Sequence, residues 1–432
     1  MAMVVKNNMS ALSTLNTLNR NTTALSKSLQ KVSSGMKINS AADDASGYAI
    51  SERMRVQIRS LDQANSNAQN GGSMMKVAEG AVSSTVEILK TLKEKAVNAA
   101  NDTNTDADRA TIQKEMDQSI DQINDNANVT FNGQYLVDGS KNKEVHQTTT
   151  AMTNQSLNTA TAGATGLTDL KARNGDSLNI HSTDTVTISY VKDGKTYTSS
   201  TQVGTNTLSG VINSLTGGVV TVRSNSSQIG MDSSLNTVNT ASGDSAITIA
   251  SNSSGIDGQI AGFTMYITDN KGNVNKSANA ALDAFDESIR AQNKSEDNSI
   301  VMQVGTKAGQ SIKVGLTDMK AQALGLQGKN GETLSIGNQE KANAAINVLD
   351  AAIQKALDQQ TTIGAVESRL EYTQSNLTTA SENVTAAEST IRDADMAKEM
   401  TEYTKNNVLM QAAQSMLAQA NQSSSNALSL LQ

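Results

Sequence analysis

The sequence predicts a mainly α chain with a β-rich insert: coiled-coil-like helices at the N- and C-terminal ends pair into a rod, and a β-rich middle lies between them. Two observations carry this. Apolar residues recur at three-and-four spacing through both ends of the chain, which marks a narrow helical seam that another helix must cover. The middle is instead rich in Thr, Ser, Asn, Gly and Val, with stretches of period two. A third observation removes the usual interruption: none of the 432 residues is proline, so no helix is broken by its ring or its missing N–H.

The first helix is read over 5–32 from Val5, Met9, Leu12, Leu15, Leu18, Leu25, Leu29 and Val32, with Thr22 completing the spacing. Its end falls near Ser33-Ser34-Gly35. Ser40 followed by Asp43 reads as the cap of a second helix, which carries Ile50, Met54, Ile58, Leu61 and Ala68. That helix is expected to break or loosen near Gly71-Gly72 and to resume through Met75, Ala78, Val82, Ile88, Leu89 and Leu92. Past a polar turn at 101–108, Ile112, Met116, Ile120 and Ile123 define a third helix.

In the middle, 185–190 and 195–198 flank Asp193-Gly194, a hairpin signal. Phe263, Met265 and Ile267 alternate as a half-buried strand, a short helix is read at 280–291, and strands at 300–304 and 311–316 turn through 307–309. Beyond them Ile346, Leu349, Ile353, Ala356, Ile363, Val366, Leu370, Leu377, Ala380, Val384, Ala387 and Ile391 form one stripe, with Gln360 and Thr373 in its two gaps. This is far longer than an ordinary globular helix. The last segment, from 393, repeats the spacing with Met400, Tyr403, Met410, Ala413, Leu417, Ala420, Ala427 and Leu431.

Composition excludes several classes of function. Cysteine is absent, which removes disulfides, thiolate nucleophiles and thiol metal sites. A net charge of −7 and 2% aromatic residues argue against nucleic-acid binding. The N-terminus has no apolar run of leader length, and no run of 18 apolar residues occurs anywhere, so neither a membrane span nor a cleaved signal peptide is expected. His146 and His181 stand apart from any ligand spacing, HExxH is absent, and Gly194-Lys195-Thr196 lacks the first glycine of a phosphate loop. No catalytic residue, metal or cofactor is expected, and the chain reads as no enzyme. Asp43, Asp44, Asp393 and Asp395 sit at helix starts, where capping and dipole compensation account for them better than acid–base chemistry.

Two long segments resemble one family. Val32-Ser33-Ser34-Gly35-Met36-Lys37-Ile38-Asn39-Ser40-Ala41-Ala42-Asp43-Asp44-Ala45-Ser46-Gly47-Tyr48-Ala49-Ile50 is similar to the N-terminal signature of bacterial flagellins. Ile391-Arg392-Asp393-Ala394-Asp395-Met396-Ala397, the stretch 417–422 and the closing Leu428-Ser429-Leu430-Leu431-Gln432 resemble their C-terminal signature. The resemblance spans 1–141 and 299–432; 142–298 falls where flagellins vary, and Ser423-Ser424-Ser425 stands where many relatives carry a proline.

The resemblance implies a secreted, extracellular subunit of the flagellar filament that polymerises with itself, exported unfolded without a cleaved leader. It implies an inner-core domain from 1–42 with 393–432, a helical rod domain with a β-hairpin from 43–141 with 299–392, and a variable outer domain from 142–298. The filament-core interface then comprises the seam residues from Val5 to Val32 named above together with Met400, Tyr403, Met410, Leu417 and Leu431. Implied partners are a secretion chaperone at the C-terminal segment, the filament cap and the hook-filament junction proteins; a junction protein is itself the alternative reading. The resemblance also aligns Leu89, Lys90, Thr91, Lys93, Glu94, Lys95 and Val97 with the segment read by the vertebrate flagellin receptor. Glu94, Ala96 and Val97 match that pattern, whereas Thr91 replaces its arginine and Lys95 a contacting leucine, which implies weak recognition.

Overall fold

The computed structural model describes residues 8–429; Val5 and Leu431 lie outside them. Helix α1 (Met9–Ser34) starts where the Asn8 side chain accepts from the Ala11 N–H at 3.0 Å, and ends where Gly35, at φ 71°, donates its N–H to the Lys31 carbonyl. A left-handed terminator of this kind suits glycine. Helix α2 (Ala45–Ala99) is capped by Asp44, whose Oδ1 accepts from the N–H groups of Ser46 and Gly47 at 3.0 Å. The expected Ser40/Asp43 cap is therefore corrected: Asp43 instead folds the preceding loop by accepting from Asn39, Ser40 and the Ser40 hydroxyl.

The expected break at Gly71-Gly72 is also corrected, since α2 runs through both residues without interruption. Gly71 has a packing role there, because a Cβ at that position would collide with the Met302 sulfur. Helix α3 (Asp106–Ala127) opens with a Thr105/Asp108 capping box, and it buries Met116, Ile120 and Ile123.

Among the described residues thirteen strands follow in chain order. They are β1 (Thr130–Phe131), β2 (Gln134–Tyr135), β3 (Ala151–Asn154), β4 (Thr185–Lys192), β5 (Lys195–Gln202), β6 (Val220–Ser226), β7 (Gln228–Met231), β8 (Thr237–Asn239), β9 (Ala246–Ser251), β10 (Ile260–Thr268), β11 (Phe285–Ile289), β12 (Ile300–Gln303) and β13 (Ser311–Val314). Two small antiparallel sheets, ordered β10-β4-β5 and β11-β3-β9-β6, enclose a core that includes Phe263, Met265, Ile188 and Leu208. Helix α4 (Leu208–Leu215) packs beside β6, and α5 (Lys276–Leu282) beside β10. The β4–β5 turn places Asp193 at φ 51° and Gly194 at φ 73°, the paired positive values that this hairpin type requires. The helix read at 280–291 stops at Leu282, and the chain then becomes β11, which pairs with β3 and buries Phe285 in the main core and Ile289 in a smaller cluster with Ala151, Ile229 and Ala250.

Helices α6 (Gln339–Arg392) and α7 (Met396–Ser429) complete the chain. The α6 stripe is shifted by one residue at its first gap: Gln359, not Gln360, is the buried one, and its Oε1 accepts from the Thr317 N–H and hydroxyl. The chain divides into two compact units, 1–67 with 304–310 and 372–432, and 68–303 with 311–371. In the second unit, Lys95 pairs with Glu115 of α3 at 2.8 Å and Lys93 with Asp350 of α6. The β-rich middle shares this unit, and Gly262 of β10 leaves room for Val348 and the Ala344 carbonyl of α6.

Candidate assembly surface

The two signature segments meet within the first unit. Ala394 donates to the Gly35 carbonyl at 2.9 Å and Lys37 to the Arg392 carbonyl at 2.8 Å, a bridge that brings Met36 opposite Asp393. The buried Arg392 guanidinium donates to Glu52 Oε1 at 2.6 Å, lies 5.4 Å from the centre of the Tyr48 ring, and approaches the Met36 sulfur at 3.2 Å. Its hydrogen bond holds the Glu52 carboxyl below the usual range. Reading the sequence missed this clasp, although Tyr48 and Arg392 both stand inside the quoted segments. The acidic positions there serve as caps and loop ties: Asp395 accepts from the Ala397 and Lys398 N–H groups at the start of α7.

Helices α1 and α7 run antiparallel. Asn8 donates to the Ala420 carbonyl, Asn21 to the Leu409 carbonyl, and Asn406 to the Ser28 hydroxyl, all at 3.0–3.1 Å; Lys31 lies 3.6 Å from Glu399. The more covered positions of α1 include Ala11, Thr14, Leu18, Asn21, Leu25 and Ser28, and those of α7 include Tyr403, Met410, Ala413 and Leu417. Among the described residues, only Ser28 and Ala413 are buried along this pair. Half-buried Leu18, Leu25, Tyr403, Met410 and Leu417, with the small and polar residues beside them, make the contact within one chain. They leave much of the apolar surface in water.

The expected seam therefore divides into two faces. Leu18, Leu25, Val32, Tyr403, Met410 and Leu417 are half-buried, whereas Met9, Leu12, Leu15 and Leu29 are 69%, 54%, 42% and 52% exposed, and Met400 is exposed as well. Val408, Leu409 and Met416 of α7 are also exposed and were missed; they lie on a second face, off the single stripe that the spacing traced.

In the receptor-like segment, Leu89 is fully buried and Lys93 is tied to Asp350, so neither faces outward freely. Lys90, Thr91, Glu94 and Val97 are exposed on one side of α2. Thr91 donates to the Glu87 carbonyl one turn earlier, and Lys95 is drawn to Glu115.

The histidines sit in loops, His146 at 3.8 Å from Glu144 and His181 at 3.7 Å from Asp184. Among the described residues, no group of three His, Cys, Asp or Glu could hold a metal. An ion-pair cluster joins β11 to α6: Arg290 lies 3.5 Å from Glu287 and 2.9 Å from Asp358. Beside them the Lys355 amine donates to the Ala323 carbonyl at 2.8 Å, and burial pushes it down to about 8. Burial likewise raises the Glu287 carboxyl. Among the described residues, no helix is long and apolar enough to cross a membrane.

Comparison with known proteins matches these parts. The family described as "Bacterial flagellin N-terminal helical region" takes up residues 5–142, and "Bacterial flagellin C-terminal helical region" takes up 346–431. A flagellin from Clostridium tyrobutyricum is 36% identical over 97% of this chain and 99% of its own length. One from Bacillus subtilis is 31% identical over 99% and 100%. Among solved structures, FliC from Burkholderia pseudomallei shares 18% identity over 69% of this chain and 99% of its own, with a TM-score of 0.26. The sequence relatives carry the assignment: matched along nearly their whole length and at both helical ends, this chain belongs to the bacterial flagellins.

Proposed function

We propose that the outward faces of α1 and α7 form the inner seam of a flagellar filament, in which this chain is the structural subunit that polymerises with itself for swimming motility. The observation that carries the assignment of these faces is the poor coverage along the pair: among the described residues the two long helices bury only Ser28 and Ala413, while Leu12, Leu15, Leu29, Leu409 and Met416 are exposed. Exposed large apolar side chains repeated along a helix pair point to an interaction surface, and further copies of the chain supply the missing cover. The expected division into an inner core (1–42 with 393–432), a rod (43–141 with 299–392) and an outer domain (142–298) fits such a polymer, with 142–298 displayed to solvent. The role is structural and not catalytic.

Export as an unfolded chain to the extracellular filament, without a cleaved leader, belongs to the same reading, as do a chaperone on the C-terminal segment and contacts with cap and junction proteins. A chain free of proline and cysteine suits it, since neither X-Pro isomerisation nor disulfide exchange would delay refolding after passage. Recognition by the vertebrate flagellin receptor is weak in this reading. Thr91 offers no guanidinium fork, and Lys95 places an amine where an apolar side chain would pack.

Electron microscopy of purified protein seeded to polymerise tests the main reading. Long filaments are expected; short caps that stop growing would instead favour a junction protein. For the receptor, Thr91→Arg/Lys95→Leu should gain potency in a dose-response on receptor-bearing cells, and equal potency would refute the weak-agonist assignment.

A further inference from the structure

We infer that the terminal helix pair carries a set of methionine thioethers whose oxidation by a peroxide blocks assembly of the free subunit without unfolding it. This rests on the reading of α1 and α7 as the polymer seam. The chain has no cysteine and no tryptophan but 17 methionines, so thioether sulfur is its principal soft target for a two-electron oxidant. The described methionines fall into distinct environments. Met75, Met116, Met265 and Met319 are fully buried. Met9 of α1 and Met396, Met400 and Met416 of α7 are exposed, Met9 and Met416 most of all at 69% and 61%. One further exposed methionine, Met231, ends β7 in the β-rich middle.

Position decides the consequence. Met9 lies one turn before Leu12 on an outward face of α1, and Met416 lies two turns beyond Leu409 on an outward face of α7. In the reaction, the sulfur lone pair attacks one peroxide oxygen; an S–O bond forms as the O–O bond breaks. The sulfur loses two electrons; one peroxide oxygen stays on it, and the other leaves as hydroxide, which takes up the proton of the transferred hydroxyl to become water. The product is a strongly polar sulfoxide on a side chain that was apolar and adaptable.

In the free subunit that group remains in water, so the helices are little affected. On assembly it would have to be stripped of water without a guaranteed donor, which is costly. The order of events therefore matters, because seam thioethers already covered in a filament are shielded from the oxidant. Met231, away from the terminal helices, provides an internal control.

The test uses the full chain, hydrogen peroxide, peptide-resolved mass spectrometry and seeded polymerisation. Once Met9, Met396, Met400 and Met416 carry sulfoxide, the critical concentration should rise at least about tenfold, with the helical circular dichroism kept. Methionine sulfoxide reductases should restore assembly. A Met9→Leu/Met396→Leu/Met400→Leu/Met416→Leu chain should assemble with or without peroxide, whereas Met231→Leu should remain as sensitive as the parent. Oxidised parent that assembles at the untreated concentration overturns the inference, and so does an unchanged sensitivity of the fourfold variant. Should that variant fail to fold, restoration of the oxidised parent by the reductases decides the matter: recovery supports the inference and no recovery overturns it. Untreated subunit that forms no filament overturns the seam reading and this inference together, an outcome distinct from failure only after peroxide.

Discussion

Replacing Leu12, Leu15 and Leu29 of α1 together by alanine isolates the contribution of the outward face. Alanine is at least as good a helix former as leucine, so the helix itself is not weakened. In the free subunit these side chains are 54%, 42% and 52% exposed, and little contact is lost there. Full burial of a leucine is worth about 2 kcal/mol. About half of that therefore remains to be gained at each position when another copy covers the face, or about 3 kcal/mol for the three. At about 1.4 kcal/mol per decade, the critical concentration should rise by up to about a hundredfold, while the melting temperature of the monomer changes little. Sedimentation of seeded filaments over a range of subunit concentrations, alongside thermal circular dichroism, measures both. If the triple variant polymerises at the parent's critical concentration, the face is solvated in the polymer and the reasoning fails.

Other outcomes follow from single positions. Leu235, exposed at φ 63°, ends an Asp232-to-Asn236 turn whose hydrogen bonds match those of Asp269 to Asn273, where Gly272 sits at φ 83° in the corresponding place. Leu235→Gly should therefore stabilise the chain by about 0.5–1 kcal/mol, strain relief exceeding the added chain entropy; calorimetry showing a loss would contradict this. Gly71→Ala gains about 1 kcal/mol of helix propensity but collides with the mostly buried Met302 sulfur, which costs about 1–3 kcal/mol. It should be neutral to destabilising in the parent and less harmful when Met302 is also alanine, and a double-mutant cycle in urea would expose any lack of coupling.

Lys355 sets a pH dependence. Its amine titrates at about 8 in the folded chain against 10.5 when free, so between those values the unfolded chain holds a proton that the folded one has released. Stability from this group should rise with pH across the window and be lowest below about 8. Urea titrations of parent and Lys355→Met at pH 7, 8.5 and 10 test this, and an identical pH slope in the two would refute it.

The helical ends were legible because their period is set by burial on one side. The same reasoning failed where a residue answered to a distant neighbour and not to its own helix. Gly71 resembles a breaker until Met302 is placed against it, and Gln359 looks interchangeable with Gln360 until Thr317 donates to it. The stripe also merged two faces of α1, since three-and-four spacing cannot separate a contact within the chain from one awaiting another copy. Phe285 and Ile289 fit a helix by spacing as well as a strand, and the partner strand β3 decided between them. The Arg392 clasp was out of reach for the same reason: its partners, Met36, Tyr48 and Glu52, lie more than 300 residues away in the chain.

Within the first unit, Glu52 meets Arg392, Asp62 meets Ser381, and Asn65 meets Thr378. Each step forward along α2 is thus matched by about one step back along α6, with no slack between the arms. Such a ladder restricts how the two arms can change length. An insertion or deletion in one arm alone would move every later rung out of register and turn apolar side chains away from their partners. Changes in length should therefore survive only in pairs, equal in the two arms and near whole numbers of helical repeats. A stretch of seven residues removed from α2 would need seven removed opposite it in α6.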